Sequence, residues 1–237
     1  MELSIVIPAY NEEKRLGSSL KKLLEFIKKY KKIKRYEVII VDDGSKDNTL
    51  NVIPKNKNIS VLKNEINRGK GYSTKKGVLN SKYNLILFMD SDLATPMEEL
   101  DKLYKYIENG HDIAIASRSL KESRMIITQP KYRQFAGKTF PLLVRMFSSL
   151  KFRDTQCGFK LMRAEPGKRI FSKVTIERFA FDVEMLYIAK KLKYKAVEVP
   201  VTWIDQRGSK VNILKDSFRM LIDLFKIRMN DLTGRYN

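Results

Sequence analysis

Asn84-Leu-Ile-Leu-Phe-Met-Asp-Ser-Asp92 is a short apolar run that stops at two aspartates one residue apart. An unbroken apolar run of this length reads as a strand buried on both faces, and its carboxylate end delivers Asp90 and Asp92 to the rim of a sheet. In open α/β sheets the ligand crevice lies at the carboxyl ends of the strands, so the pair is expected in a pocket. Two hard oxygen ligands suit Mg2+ or Mn2+, and an ion held by one or two carboxylates keeps positions open for phosphate oxygens. A nucleoside diphosphate or triphosphate is the natural guest. The same residues also suit a cap on the helix expected to open near Pro96, so the other strand ends decide between the two readings.

Those strand ends agree. Leu3-Ser-Ile-Val-Ile-Pro-Ala9 is a β-rich run expected to end at Pro8, which cannot donate to a ladder. Asn11 reads as an N-cap with Glu12 and Glu13 in the first turn, followed by Leu16, Leu20, Leu23, Leu24 and Ile27 at helical spacing. Tyr36-Glu-Val-Ile-Ile-Val41 is a second buried strand, and it ends in Asp42-Asp43-Gly44-Ser45. Strand, helix, strand implies a right-handed parallel unit. A helix from about residue 46, a strand over 59–62, a glycine-bearing turn at Asn67-Arg-Gly-Lys-Gly71 and helices over 71–78 and 97–108 continue the alternation. A fifth strand, Asp112-Ile-Ala-Ile-Ala-Ser117, ends at Arg118. Beyond it the alternation lapses, and a helix around 179–187, a late edge strand over 197–202 and a long amphipathic helix over 211–229 are expected.

At 237 residues, with no Pro/Gly/Ser-rich linker, the chain is expected to be one domain. Residues 1–118, where strands and helices alternate, would form one half of it and 119–237 the other. No apolar run reaches the roughly 18 residues that span a bilayer, and no signal peptide is apparent, so a cytoplasmic protein is expected. The lone Cys157 excludes an internal disulfide and the lone His111 a histidine-rich metal site, which disfavours zinc. A net charge of +20, with ten basic residues against Glu25 between Lys14 and Arg35, asks for an anionic partner: nucleic acid, membrane surface or substrate. No RNP signature, zinc-finger spacing or helix-turn-helix pattern accompanies that charge, so nucleic acid is set aside. The loop after the first strand is Pro-Ala-Tyr-Asn-Glu-Glu rather than G-x-G-x-x-G, which disfavours NAD. The turn at 67–71 lacks the full phosphate-loop pattern, although Arg68 or Lys70 is placed to reach a diphosphate.

Ile-Val-Ile-Pro-Ala-Tyr-Asn-Glu-Glu, Val-Asp-Asp-Gly-Ser and Asp-Ser-Asp, in that order, resemble the nucleotide and metal elements of the inverting family 2 glycosyltransferases. The resemblance implies the GT-A fold, a Rossmann-like, mainly parallel sheet flanked by helices, with a C-terminal acceptor-side helical region. In the second half, Arg153-Asp-Thr-Gln-Cys-Gly-Phe-Lys-Leu161, Glu177-Arg-Phe-Ala-Phe-Asp-Val-Glu184, Trp203 with Gly208-Ser-Lys210, and Asp231-Leu-Thr-Gly234 look most like the dolichyl-phosphate glucosyltransferases. Two departures stand out. Eukaryotic members carry an N-terminal membrane helix that this sequence does not show. Ala94 stands where the related mannose synthases have a glutamine, which leaves a third metal ligand open and leans away from mannose.

By that resemblance, Pro8, Ala9, Tyr10, Glu12, Val41, Asp43, Lys70 and Ser91 would hold the nucleotide, UDP-glucose first and GDP-mannose as the alternative. Asp90 and Asp92 would hold the metal. Arg118 and Arg133 would grip the phosphate of a polyprenyl phosphate acceptor through the planar guanidinium fork, and Arg207, Ser209 and Lys210 would close over the donor. Asp182, or Glu184, would serve as base for a hydroxyl acceptor, whereas a phosphate acceptor with a second pKa near 6 needs none. A lipid acceptor implies a peripheral protein on the cytoplasmic face of an anionic membrane, attached through the mixed apolar and basic stretch 135–152 or the final helix. Oligomeric state is left open, a homo-oligomer included.

Overall fold

The structure, a computed structural model, describes residues 1–126, Val144, 149–206 and 213–237. The strands are β1 (Glu2–Ala9), β2 (Arg35–Asp42), β3 (Ile59–Lys63), β4 (Leu85–Met89), β5 (Ile113–Ser117), β6 (Arg124–Ile126), β7 (Phe159–Arg163), β8 (Ala196–Pro200) and β9 (Thr202–Ile204). The helices are α1 (Leu16–Lys29), α2 (Lys70–Leu79), α3 (Leu100–Glu108), α4 (Ala164–Lys173), α5 (Phe181–Lys191) and α6 (Ile213–Leu232). Among the described residues they build a seven-stranded sheet of order β3-β2-β1-β4-β7-β5-β8, with β6 and β9 as a separate parallel pair. Only β7 runs against its neighbours, so six carboxyl ends share one rim.

Apolar runs without alternation bury both faces of the central strands. Leu3, Ile5 and Ile7 of β1 face α1 and α3, while Val6 faces α2, α4 and α5 across the sheet. α2 lies unusually close to β1, because a Cβ on Gly77 would stand 2.3 Å from Val6 Cγ1 and clash outright.

Several boundaries differ from expectation, each for a tertiary reason. Pro8 does not end β1: it lies within the strand opposite Val41, beyond the last β1–β4 pair at Val6 and Phe88, where no donor to β4 is needed. Asn11 is not an N-cap. It takes a left-handed φ of 54°, its N–H donates to Ser45 Oγ and its Oδ1 accepts from Lys46 N, so the loop is tied to its neighbour and α1 waits until Leu16. The helix expected from residue 46 is a single 3-10 turn, Thr49–Val52, because Asp47 accepts from the Thr49 backbone and side chain and so competes with helical pairing. Residues 97–99 form a 3-10 turn ahead of α3. The late edge strand splits into β8 and β9, β8 being the sheet edge. The stretch 135–152 lies outside the described residues except Val144 and 149–152, so its reading as an interfacial helix stays an expectation. No helix among the described residues is long and apolar enough to cross a membrane.

Candidate active site

The rim gathers what the strand ends carry. β4 delivers Asp90 and Asp92, β1 leads into Tyr10 and Glu12, β2 leads into Asp43, and β5 leads into Arg118. β7 runs the other way and therefore begins at this rim, which brings Gly158 beneath Asp90: the Asp90 N–H donates to the Gly158 carbonyl at 3.0 Å. α2 and α5 start there too, with Lys70 and Asp182 in their first turns.

Asp90 and Asp92 are both partly exposed, which leaves them reachable from solvent. Lys70 Nζ stands 2.6 Å from Asp90 Oδ1. Asp92 Oδ1 accepts from Ala94 N at 3.0 Å, across Leu93 in a left-handed φ of 54°, and Arg15 Nη1 lies 3.7 Å from Oδ2. Arg15 is itself forked onto Glu12 at 2.7 and 2.8 Å. Burial first, and the Asp90 charge second, push the Asp92 carboxyl above the ordinary carboxylate range, against the pull of Ala94 N–H and Arg15. Burial works to lower the Lys70 ammonium, but Asp90 and Asp182 outweigh it and hold it charged. Two carboxylates crowded until one resists ionisation are a donor set that a divalent cation relieves, so these residues fit a Mg2+ or Mn2+ ion. No third acidic, histidine or cysteine ligand joins them among the described residues, which leaves the remaining positions for phosphate and water.

Beneath this pair runs a line of alternating charge. Lys160, fully buried on β7, donates to Asp182 Oδ1 at 2.5 Å and to the Cys157 carbonyl at 2.7 Å, and lies 4.9 Å from the Phe88 ring centre. Burial raises the Asp182 carboxyl while Lys160 and Lys70 pull it down. Glu184 accepts from the Thr175 backbone and hydroxyl, from Ile176 N and from Tyr236 Oη, and so pins the 175–176 turn and the C-terminus together. Both carboxylates that the sequence offers as bases are thus engaged in the fold.

Arg118 is likewise committed. Its Nε and Nη2 fork onto Asp154 at 2.7 and 2.9 Å, its backbone N–H adds a third bond at 2.9 Å, and the guanidinium lies 5.5 Å from the Trp203 ring centre. Burial opposes ionisation of Asp154, yet Arg118 holds its carboxyl down to about 2. A phosphate at Arg118 would therefore meet the outer edge of the guanidinium, not the fork. Burial raises the Cys157 thiol to about 11, which makes it inert. His111 Nδ1 lies 3.1 Å from the Tyr106 carbonyl, which accepts from it when Nδ1 carries the proton, ahead of the amino end of β5 and away from the rim.

Asp43 is also placed differently from expectation. Its buried carboxylate accepts from Asn64 Nδ2, Asn67 Nδ2, Arg68 N and Gly69 N at 2.8 to 3.0 Å, which fills its acceptor sites and shapes the turn that starts α2. Arg68 of that turn pairs with Glu177 and lies over Tyr72. Asp43→Ala is expected to orphan buried donors at a cost of about 1–3 kcal/mol each, lowering the melting temperature together with donor affinity. Loss of donor affinity with an unchanged melting temperature would return Asp43 to direct nucleoside contact. The side chains of Ala9 and Val41 are buried, so either reaches a ligand only through its backbone; Ser91 is also buried, and Pro8 and Tyr10 are half-buried at the rim. Arg133, Arg207, Ser209 and Lys210 lie outside the described residues.

Residues 4–171 match the family model "Glycosyl transferase family 2". The chain belongs to glycosyl transferase family 2. Within this family it is 38% identical over 246 residues to dolichyl-phosphate beta-glucosyltransferase of Dictyostelium discoideum, an alignment covering 98% of this chain and 75% of that one. Two solved structures share the fold. Mannosyl-3-phosphoglycerate synthase of Rubrobacter xylanophilus superposes with a TM-score of 0.72 at 17% identity, covering 99% of this chain and 75% of that one. Glucosyl-3-phosphoglycerate synthase of Mycobacterium tuberculosis, crystallised with Mn2+, UDP and phosphoglyceric acid, superposes at 0.66 with 16% identity, over 100% of this chain and 78% of that one. The chain is thus a family 2 glycosyltransferase of GT-A fold.

The residues to which sequence reasoning gave no individual role are Arg15, Asp154, Gly158 and Lys160, the last three within the Arg153–Leu161 run quoted above. Lys160 carried a legible signal, a lone cation inside Phe-Lys-Leu-Met, where a buried strand tolerates charge only with a partner. Gly158 carried none, since only the fold shows that a Cβ there would stand 2.1 Å from Asp90 Oδ2.

Proposed function

We propose that this family 2 glycosyltransferase moves glucose from UDP-glucose onto a dolichyl or related polyprenyl phosphate, with inversion at the anomeric carbon. The observation that carries this reading is the pairing of a two-carboxylate rim with a site whose other carboxylates are all engaged. A hydroxyl acceptor needs a base, whereas a phosphate monoester with a second pKa near 6 is already largely ionised at neutral pH. Asp182 on Lys160 and Glu184 on the 175–176 turn therefore suit a phosphate acceptor, as the names of the relatives also do.

Asp90 and Asp92 would hold Mg2+ or Mn2+ against the donor diphosphate, where a divalent ion supplies Lewis-acid stabilisation of charge on the departing nucleotide. Lys70, now on Asp90, is placed to turn to the diphosphate and add a second cation to the leaving group. Arg118 presents its outer edge to the acceptor phosphate while Asp154 and Trp203 hold it in position. The acceptor oxygen attacks the anomeric carbon as the bond to UDP breaks on the opposite face, and no proton needs to be removed. Because the acceptor is lipid-borne, the work is placed at a membrane surface.

The test offers a panel of sugar nucleotides with a short, water-soluble polyprenyl phosphate, with and without chelator. Glucose transfer from UDP-glucose that stops in chelator and returns with Mg2+ or Mn2+ is the expected result. Preferred use of GDP-mannose, or full turnover in chelator, would overturn the donor and the metal assignment respectively.

A further inference from the structure

Helix α6 is amphipathic in an unusual way, for it shows apolar residues to both sides. Its inner face is anchored: Met220, Leu224 and Ile227 are buried, Met220 Sδ accepts from Gln156 Nε2, and Asn230 Nδ2 donates to Thr175 Oγ1. The outer face carries Phe218, Ile222, Phe225, Met229 and Leu232, spaced by three and four residues, and these are 66%, 43%, 57%, 58% and 74% exposed. That spacing is one stripe along the helix. A continuous exposed stripe of large apolar side chains marks an interaction surface.

Charge says what covers it. Arg219 and Lys226 flank the stripe on one side and Arg228 on the other, all exposed. None of the helix's acids joins the stripe: Asp216 is half-buried, Asp223 is buried with Lys226 reaching back to it at 3.2 Å, and Asp231 accepts from Tyr187 Oη and pairs with Lys191 and, at 3.9 Å, with Arg228, which leaves Arg219 as the flanking cation with no acid of this helix against it among the described contacts. A second copy would bring the same cations together, on a chain whose net charge is already +20. An anionic surface with an apolar interior meets both the stripe and its rim, which is the requirement for an interfacial helix. Position agrees, because Met220 rests on Gln156, whose backbone donates to Asp154, the residue that holds Arg118. We infer that the outer face of α6 docks on an anionic lipid bilayer and seats the acceptor side of the site at the headgroup level. This deepens the proposed function, since it rests on a lipid-borne acceptor.

The test is sedimentation of the full chain with vesicles of phosphatidylcholine and about 30% phosphatidylserine that contain no polyprenyl phosphate, at about 20 mM and about 500 mM salt. Transfer to the short, water-soluble acceptor is assayed beside it. Wild type is expected to sediment at low salt and to release at high salt. The double variant Phe218→Glu/Met229→Glu, at exposed positions, is expected to lose at least tenfold in vesicle partition while keeping its melting temperature and its turnover of the soluble acceptor. Wild type remaining in the supernatant at low salt, or a double variant that partitions as wild type does, would overturn the docking face. Concentration-dependent dimers abolished by the same variant, without vesicle binding, would also overturn it and assign the face to a second copy. Vesicle binding with no glucose transfer to the soluble acceptor would sink the proposed acceptor and leave the docking face standing.

Discussion

Asp92→Ala is expected to lower turnover by two or more orders of magnitude and to leave the fold standing. The carboxylate is partly exposed and its partners among the described residues are Ala94 N and the distant Arg15 Nη1, so its removal opens no cavity and orphans little. The loss would be that of the electrostatic role proposed for it at the leaving group, each tenfold in rate being about 1.4 kcal/mol of transition-state stabilisation. Asp92→Asn isolates the charge, because the amide oxygen still accepts from Ala94 while the negative charge is gone. Gly158→Ala should reach a similar deficit from the other side: the new Cβ would stand 2.1 Å from Asp90 Oδ2 and force that carboxylate out of place. Turnover number and melting temperature, measured together, check the claim. An Asp92→Ala enzyme within tenfold of wild type would remove Asp92 from the chemistry.

The second large effect concerns stability. Lys160 is wholly buried, and its ammonium is neutralised by Asp182. Removing one member of such a pair leaves an uncompensated buried charge, so Asp182→Ala is expected to destabilise the protein by about 3–5 kcal/mol. In a chain of this size that is a fall of roughly 6–20 °C in melting temperature. The double substitution Asp182→Leu/Lys160→Met should recover most of the loss, because apolar residues of similar volume remove the need for the pair. If Asp182→Ala melted within a degree or two of wild type, the pair would not be doing this. The double variant also separates roles. Retained glucose transfer in it would exclude Asp182 as a base, in keeping with an acceptor that arrives ionised.

The parts of the molecule that were legible in the sequence are those where a one-dimensional pattern has one three-dimensional outcome. Unbroken apolar runs such as Leu85–Met89 had to be strands buried on both faces, and whatever followed them had to reach the ligand rim. What stayed hidden depends on partners distant in the chain. Asn11 looked like a helix starter and a helix was expected from about residue 46, yet Asn11 is tied to Ser45 and Lys46 while Asp47 accepts from Thr49 and from Glu13 N of the neighbouring loop, and local capping chemistry does not reveal that competition. Asp43 and Arg118 were rightly placed at strand ends, but the acceptors of Asp43 and the fork of Arg118 are taken up by Asn64, Asn67 and Asp154, which the spacing of motifs does not show. Lys160 reads as an exception within a strand until Asp182, 22 positions later, is folded against it.

The place of β7 between β4 and β5 bears on how the protein is made. Among the described residues the neighbours of β5 are β7 and β8, and both come later in the chain. A nascent chain that has just exposed Ser117 therefore carries an apolar strand, Ile113–Ser117, with neither of its native pairing partners yet made, beside a β4 that has one edge open. Translation at about 5–20 residues per second keeps those edges unpaired for some seconds until the β7 and β8 segments emerge. The amino-terminal half thus depends on the carboxyl-terminal half for closure of its own sheet. A fragment cut after residue 118 would carry the nucleotide motifs together with an adhesive strand, which favours aggregation over an independent donor-binding unit.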